Sequence, residues 1–276
     1  MKRSSRHKGR SYPSYSDEEC LQPLYKYRSL SSNEELERVG RIFTAHEVYF
    51  AAPDTLNDPL DCRPLFIYRA RLSDKRKKAI QVIKRECPGV SRSEARKRAD
   101  ERWKAAERNQ ENVPTWLSKG IGVFSLSETS VSETLWRQYA DDDRGICLEF
   151  RVTRGEHVDF LGRTLRVIYV DQPPAILFYL DSREVNLRKS VLTKTRAWEH
   201  EKEWRIVDLK NGPGLRKFPP DLLSGVIIGA KITSEHKELV LSWVRSHPTP
   251  LAVYQADRTC NTPERQIIRI YPESNS

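Results

Sequence analysis

The sequence predicts an α+β fold, a single domain whose mixed, mostly antiparallel sheet of short strands is flanked by helices and carries a basic helical insertion. Three observations carry that expectation. Eight or nine stretches of strand length and three to five helical stretches follow one another without the regular alternation of a doubly wound or barrel fold. The 276 residues, 38% hydrophobic with six Trp and eleven Tyr, suffice for a real core in one large domain. No internal repeat divides them.

Residues 1–20 are rich in Ser, Arg and Lys without an apolar period and read as a disordered basic arm. The α+β domain is expected over residues 21–271, with a short tail at 272–276. Around Leu24 the segment PLYKYRSL is a short strand, with Leu24, Lys26 and Arg28 on one face and Tyr25 and Tyr27 on the other. Ser31, Ser32 or Asn33 caps the next helix. Its first turn holds Glu34 and Glu35, where the dipole favours anions, and Leu36, Val39, Ile42 and Phe43 form its buried stripe. Glu47 to Pro53 is a second strand, running into Asp54, Asn57, Asp58 and Asp61; Asn57-Asp58-Pro59 is turn chemistry. Residues 72–110 form a helical stretch or pair, broken at Cys87-Pro88-Gly89. Its second half has only a thin stripe of Ala95, Ala99, Trp103 and Ala106, expected to lie against the body.

Ile121 to Leu126 is a buried strand leading into Ser125-Leu126-Ser127-Glu128, whose serines share one face. Ser127, Thr129 or Ser132 starts a helix containing Trp136 and Tyr139, three apart and therefore neighbours: a core pair, or a stacking surface for a flat ring. After the polar turn Asp141 to Gly145 comes a strand with Ile146, Leu148 and Phe150 opposite Cys147 and Glu149. Leu165 to Asp171 is another. Pro173-Pro174 precede residues 175–198, expected to be helical. The strands WRIVDL and LLSGVIIGAKIT follow, Ser234 caps a helix over Glu235 to Arg245, and LAVYQADR and RQIIRIY close the domain.

The net charge of +10 is unevenly spread. Residues 1–10 carry +5 and residues 69–108 carry +9, so the remainder is 4 units acidic. The arm and residues 72–110 can therefore attract nucleic acid, and residues 72–110 read equally as a solvated charged insertion. Five scattered cysteines without a C-x-x-C pair argue for reduced thiols and a cytoplasmic setting, against a disulfide framework or a zinc site. The basic N-terminus is not followed by an apolar segment, and no apolar run is long enough to span a bilayer, so no membrane association is expected. Phosphate-cradling glycine loops of the P-loop and dinucleotide-binding types are missing from the sequence.

Chemistry concentrates in KTRAWEHEKEWR, Lys194 to Arg205. An extended segment would project Glu199, Glu201 and Glu203 from one face, and like charges held that close demand a cation or a ligand among them. Glu203 is the preferred catalytic position and Glu201 its assistant; Glu199, nearest the preceding helix, is the structural member. Arg205 is either the counter-ion that removes the strain or a phosphate ligand.

The segments YKYRSL, YFAAPDTLNDPLDC, FSLSE, LWRQYADDDRGICLEF, WEHEKEWR and VIIGAKI, in that order, resemble the bacterial domain of unknown function 2971 family, members of which occur in phage-defence settings. The similarity runs from about Leu24 to Trp243 and implies fold and site location more than activity. A second, more distant resemblance is to ADP-ribosyltransferases that use NAD, which carry an early strand with Arg or His, a Ser-x-Ser strand and a Glu-x-Glu strand end. Tyr27-Arg28, Ser125-Leu126-Ser127 and Glu201-Lys202-Glu203 are similar in kind and order. That resemblance implies NAD as co-substrate, Arg28 on its phosphates or ribose, and Ser125 or Ser127 against the nicotinamide ribose. Glu203 would stabilise the oxocarbenium-like centre, Glu201 would steer a protein or nucleic-acid acceptor, and Trp136 or Tyr139 would stack on nicotinamide. Asn57, Asp58 and Arg205 complete the expected binding set.

Two other readings remain. In a magnesium-dependent nuclease, Asp58, Asp61, Glu149, Glu201 and Glu203 would converge on the metal. In a non-catalytic sensor or partner-binding domain, the same cleft would serve recognition alone.

Overall fold

The computed structural model describes residues 23–108, 117, 119–151, 164–257 and 265–271; the arm at 1–20 and the tail at 272–276 lie outside them. The chain opens with β1 (Leu24–Arg28), α1 (Asn33–Thr44) and β2 (Glu47–Phe50), then β3 (Leu65–Ile67), α2 (Leu72–Glu86) and α3 (Arg92–Arg108). The middle contains β4 (Gly122–Ser127), α4 (Glu133–Tyr139), β5 (Ile146–Phe150), β6 (Leu165–Arg166), β7 (Ile168–Val170) and β8 (Ala175–Leu177). After α5 (Arg183–Val191) and β9 (Thr193–Thr195) come β10 (Glu203–Asp208), β11 (Gly214–Lys217), β12 (Leu223–Ile228), α6 (Ser234–Ser246), β13 (Ala252–Asp257) and β14 (Gln266–Tyr271).

The result is the α+β domain the sequence predicts. Eight strands form one sheet in the order β14-β13-β12-β5-β1-β4-β10-β6, antiparallel throughout except for the parallel pair β12 and β13. One face is covered by α1 and α6. Val39, Ile42, Phe43, Val240 and Val244 pack there on Phe124, Leu148, Phe150 and Val226, and Trp243 stacks on Phe43 at 5.7 Å. On the other face α4 seats Leu135 and Trp136 against Tyr27, Cys147 and Ile227. A further cluster, including Cys62, Phe66, Val123, Ile176 and Val191, fills the space near β4. Helix starts follow local chemistry, since Ser32 and Ser132 accept from the backbone N–H groups of Glu35 and Leu135. For α6 the cap is Thr233 and not Ser234, which already lies within the helix.

Two further expectations are corrected. Residues 175–198 are not one helix. β8 pairs in parallel with β3 directly after Pro173-Pro174, α5 begins only beyond the Ser182 cap, and β9 pairs with β7. The second half of the basic insertion does not lie against the body by its alanine stripe. Ala95 and Ala99 instead meet Ala79 and Ile83 of α2, giving the α2–α3 hairpin a small core of its own. Ion pairs Arg76–Asp100 (2.6 Å) and Arg102–Glu86 (2.7 Å) tie the two helices, and Lys78 anchors α2 to the Asp181 carbonyl at 2.6 Å.

What positions the site is a split in the sheet. β1 pairs with β5 along all five of its residues, and β4 pairs with β10 from Gly122 to Ser127. Between β1 and β4 the register contains only Tyr25 opposite Ser127. Beyond that pair the two strands part.

Candidate functional site

A cavity of about 380 Å³ occupies the split. Alternation along the strands places Lys26, Arg28 and Leu126 on one face of the sheet, and Tyr25, Tyr27, Ser125, Ser127 and Glu203 on the other. Residues of both sets line the cavity, so it runs through the gap from the α1 side to the α4 side.

At the α4 end the chain enters from the Lys194–Arg205 stretch. This stretch is not extended: Arg196–Glu201 is a turn of 3₁₀ helix, and Lys202 adopts the left-handed conformation (φ 46°, ψ 52°) before β10 begins. The expectation that Glu199, Glu201 and Glu203 share one strand face is therefore wrong in mechanism. Glu199 is exposed and pairs with Arg196 at 3.2 Å. The left-handed residue turns Glu201 and Glu203 into the same cavity, both 5% exposed. Ser127 fixes the turn by donating its hydroxyl to the Glu201 carbonyl at 2.7 Å.

The two carboxylates are fully engaged. Lys194 Nζ donates to Glu201 at 2.6 Å and to Glu203 at 3.3 Å, and lies 3.7 Å from Asp61. Arg205, completely buried, bonds both oxygens of Glu203 (2.7 and 2.9 Å) and both of Asp61 (2.9 and 2.5 Å), and donates to the Val191 carbonyl at 2.8 Å. Burial alone would raise the Glu203 carboxyl, but Arg205, Lys194 and a hydrogen bond from Ser125 outweigh it and hold it at about 2. Glu203 is thus an anion at any physiological pH. Burial also works against the Lys194 ammonium, yet Glu203, Glu201 and Asp61 raise it above the ordinary lysine value. Tyr139 donates its hydroxyl to Glu201 at 2.7 Å and accepts from Asn57 Nδ2 at 2.6 Å. Burial and the neighbouring Glu201 push that phenol well above its usual value.

The α1 end is cationic. Arg28 makes no ion pair among the described residues, and its Nε is buried without an acceptor. Desolvation, with Arg38 nearby, lowers its guanidinium to about 10. The adjacent Glu35 is held by the hydroxyls of Ser29 (2.9 Å) and Ser31 (2.8 Å).

Of the residues expected from sequence, Tyr27, Arg28, Asn57, Ser125, Ser127, Tyr139, Glu201 and Glu203 line this one cavity. Three do not. Trp136 is fully buried, donates Nε1–H to the Ser130 carbonyl at 2.8 Å and meets Tyr27 edge to face, so it is core and no stacking surface. Asp58 accepts from the Leu60 N–H at 2.9 Å and braces its own turn. Arg205 is the internal counter-ion and not a phosphate ligand. Sequence reasoning missed Lys194 and Lys26 as members of the site. Lys194 opens the very stretch singled out, and Lys26 is a charge on the face of a strand that Leu24 marks as buried.

The metal constellation does not assemble. Glu149 is three strands from Glu203, along the row Glu149, Tyr25, Ser127, Glu203, and accepts from Ser224 at 2.7 Å. Among the described residues no group of three His, Cys, Asp or Glu is placed to hold a metal ion. Lys194 and Arg205 stand among the remaining carboxylates where a cation would have to sit. Nor is any helix of the described residues long and apolar enough to cross a membrane.

Comparison with known proteins is sparse. The model of a family described as "Protein of unknown function (DUF2971)" matches residues 135–206, from Leu135 on α4 to Ile206 on β10. That stretch includes Tyr139, Lys194, Glu201, Glu203 and Arg205 and supports the resemblance to this family there; it leaves out Arg28 and Ser125. No curated protein and no solved structure matches the chain.

Proposed function

We propose that the chain is an NAD-dependent ADP-ribosyltransferase-like effector, with phage defence as its setting. One observation carries this reading: a single cavity brings Arg28 together with Ser125, Ser127, Glu201 and Glu203. Its size falls within the range of small-ligand pockets, and its ends differ in charge as a nucleotide requires. Arg28, free of any carboxylate partner among the described residues, takes the phosphates. Ser125 and Ser127 support the nicotinamide ribose. Glu203, kept ionised by Arg205 and Lys194, accepts a ribose hydroxyl and stabilises the positive charge that develops as nicotinamide leaves. Glu201, bound to Lys194 and Tyr139, steers the acceptor. With Trp136 in the core, Tyr139 is the ring left to meet nicotinamide.

Adenine-labelled NAD incubated with the full chain and cell extract should transfer label to protein or nucleic acid, and Glu203→Gln should reduce transfer at least a hundredfold. Unchanged NAD would sink the reading.

The complete ion pairing of Glu201 and Glu203 favours one alternative, a non-catalytic sensor using the same cavity; calorimetric binding of NAD without turnover would select it. Nucleic acid is the partner we assign to residues 72–110. Lys77, Lys84, Arg85, Arg92, Arg96, Lys97, Lys104 and Arg108 are exposed there and make no ion pair among the described residues.

A further inference from the structure

Lys26 has no part in the transferase reading, yet it stands at the neck of the cavity, where β1 leaves β4. Its Nζ reaches across the gap to the Ser125 carbonyl oxygen at 2.6 Å and lies 5.2 Å from the centre of the Phe124 ring. No carboxylate pairs with it among the described residues, and Arg28 is two positions along the same strand face. Lys194 shows the contrast. It sits in the same cavity among three carboxylates and is raised; Lys26, desolvated and next to Arg28, is lowered to about 7 although Glu203 and Glu201 partly compensate. A lysine desolvated beside another cation is the usual form of a nucleophilic amine.

We propose that Lys26 is a covalent capture site for a phosphate-bearing aldehyde, with Arg28 holding the phosphate. The Nζ lone pair attacks the carbonyl carbon to give a carbinolamine. Loss of the former carbonyl oxygen as water, taking both amine hydrogens, leaves a carbon–nitrogen double bond. No oxidant or further reactant is consumed. Arg28 suits the second role because its guanidinium has a buried Nε without an acceptor and a fork that matches phosphate oxygens. Both groups line a cavity large enough for such a ligand. This site needs neither Glu203 nor NAD, although it shares Arg28 and the cavity with the transferase reading.

The test uses pyridoxal phosphate as a chemical probe on the full chain, trapped with borohydride and mapped by peptide mass spectrometry. The expected result is one dominant adduct at Lys26, formed about tenfold faster at pH 7.5 than adducts at surface lysines and with its rate levelling above pH 7. Inorganic pyrophosphate should protect the site, and Arg28→Gln, which leaves the amine in place, should slow capture about tenfold. Lys26→Met should abolish the adduct, with circular dichroism reporting whether the variant folds. Adducts spread over exposed lysines, with rates still climbing above pH 9, would overturn the proposal. Capture at Lys26 that ignores both pyrophosphate and Arg28→Gln would overturn the phosphate assignment.

Discussion

Replacing Arg205 with methionine tests the central claim about the site, that its carboxylates are tolerated only because two internal cations share them. Asp61, Glu201 and Glu203 contribute three negative charges and Lys194 and Arg205 two positive ones, so the cluster moves from −1 to −2 in the variant. Removing one side of a buried ion pair costs about 3–5 kcal/mol. Arg205 is 0% exposed and bonds two carboxylates and a carbonyl, so the upper part of that range is expected. In a domain of this size the loss lowers Tm by about 10 °C.

The sign with pH follows from Glu203. Its folded value, about 2, lies below the ordinary 4.5, so its ionisation stabilises the native state fully above pH 4.5 and that contribution fades as pH falls through 2. The shift corresponds to about 3 kcal/mol. Without Arg205 most of the depression disappears, and the exposed repulsion with Asp61 is relieved by protonation. The gap between wild type and variant should therefore narrow by at least about 1 kcal/mol from pH 7.5 to pH 4. Urea unfolding followed by tryptophan fluorescence at the two pH values measures it. A gap below 1 kcal/mol at pH 7.5, or one that does not change with pH, would refute the reasoning. Adding Glu203→Gln to Arg205→Met should recover part of the loss, giving a coupling of about 1–3 kcal/mol in a double-mutant cycle.

Further outcomes are expected elsewhere. Gly145→Ala should destabilise the fold by about 2 kcal/mol or more, because a Cβ there would run into the Arg28 carbonyl oxygen and the Ala140 backbone. The same change should displace Arg28, so capture at Lys26 should slow even under conditions where the variant is folded. At Lys202, valine should cost about 1–2 kcal/mol in urea unfolding, since a β-branched residue resists φ of 46°, while glycine should leave stability within about 1 kcal/mol of wild type. If valine were harmless, the left-handed turn that brings Glu201 and Glu203 together would not be a constraint on the chain.

Much of the fold was legible in the local pattern. The alternation in LYKYR, the serines before α1 and α4 and the apolar run of IGVFSL specify strands and caps because those preferences depend on near neighbours. The glutamate stretch could be located for a similar reason, since three acids beside two tryptophans are costly without partners. What failed was whatever required knowing the partner. Residues 175–198 have enough helical character to mislead, and pairing of β8 with β3 decides the matter. The alanine stripe of α3 was apolar as read, but the surface it covers is α2.

The sequence by itself determined the class of fold, the position of most strands of the main sheet and the place along the chain where chemistry gathers. Only the tertiary structure decided which charges are spent on one another. Arg205 closes on Asp61, 144 residues away, while Trp136 passes into the core and Lys26 and Arg28 are left facing the cavity. Ion pairing and desolvation act through space over a few ångströms, and the order of residues along the chain does not say which side chains will meet there.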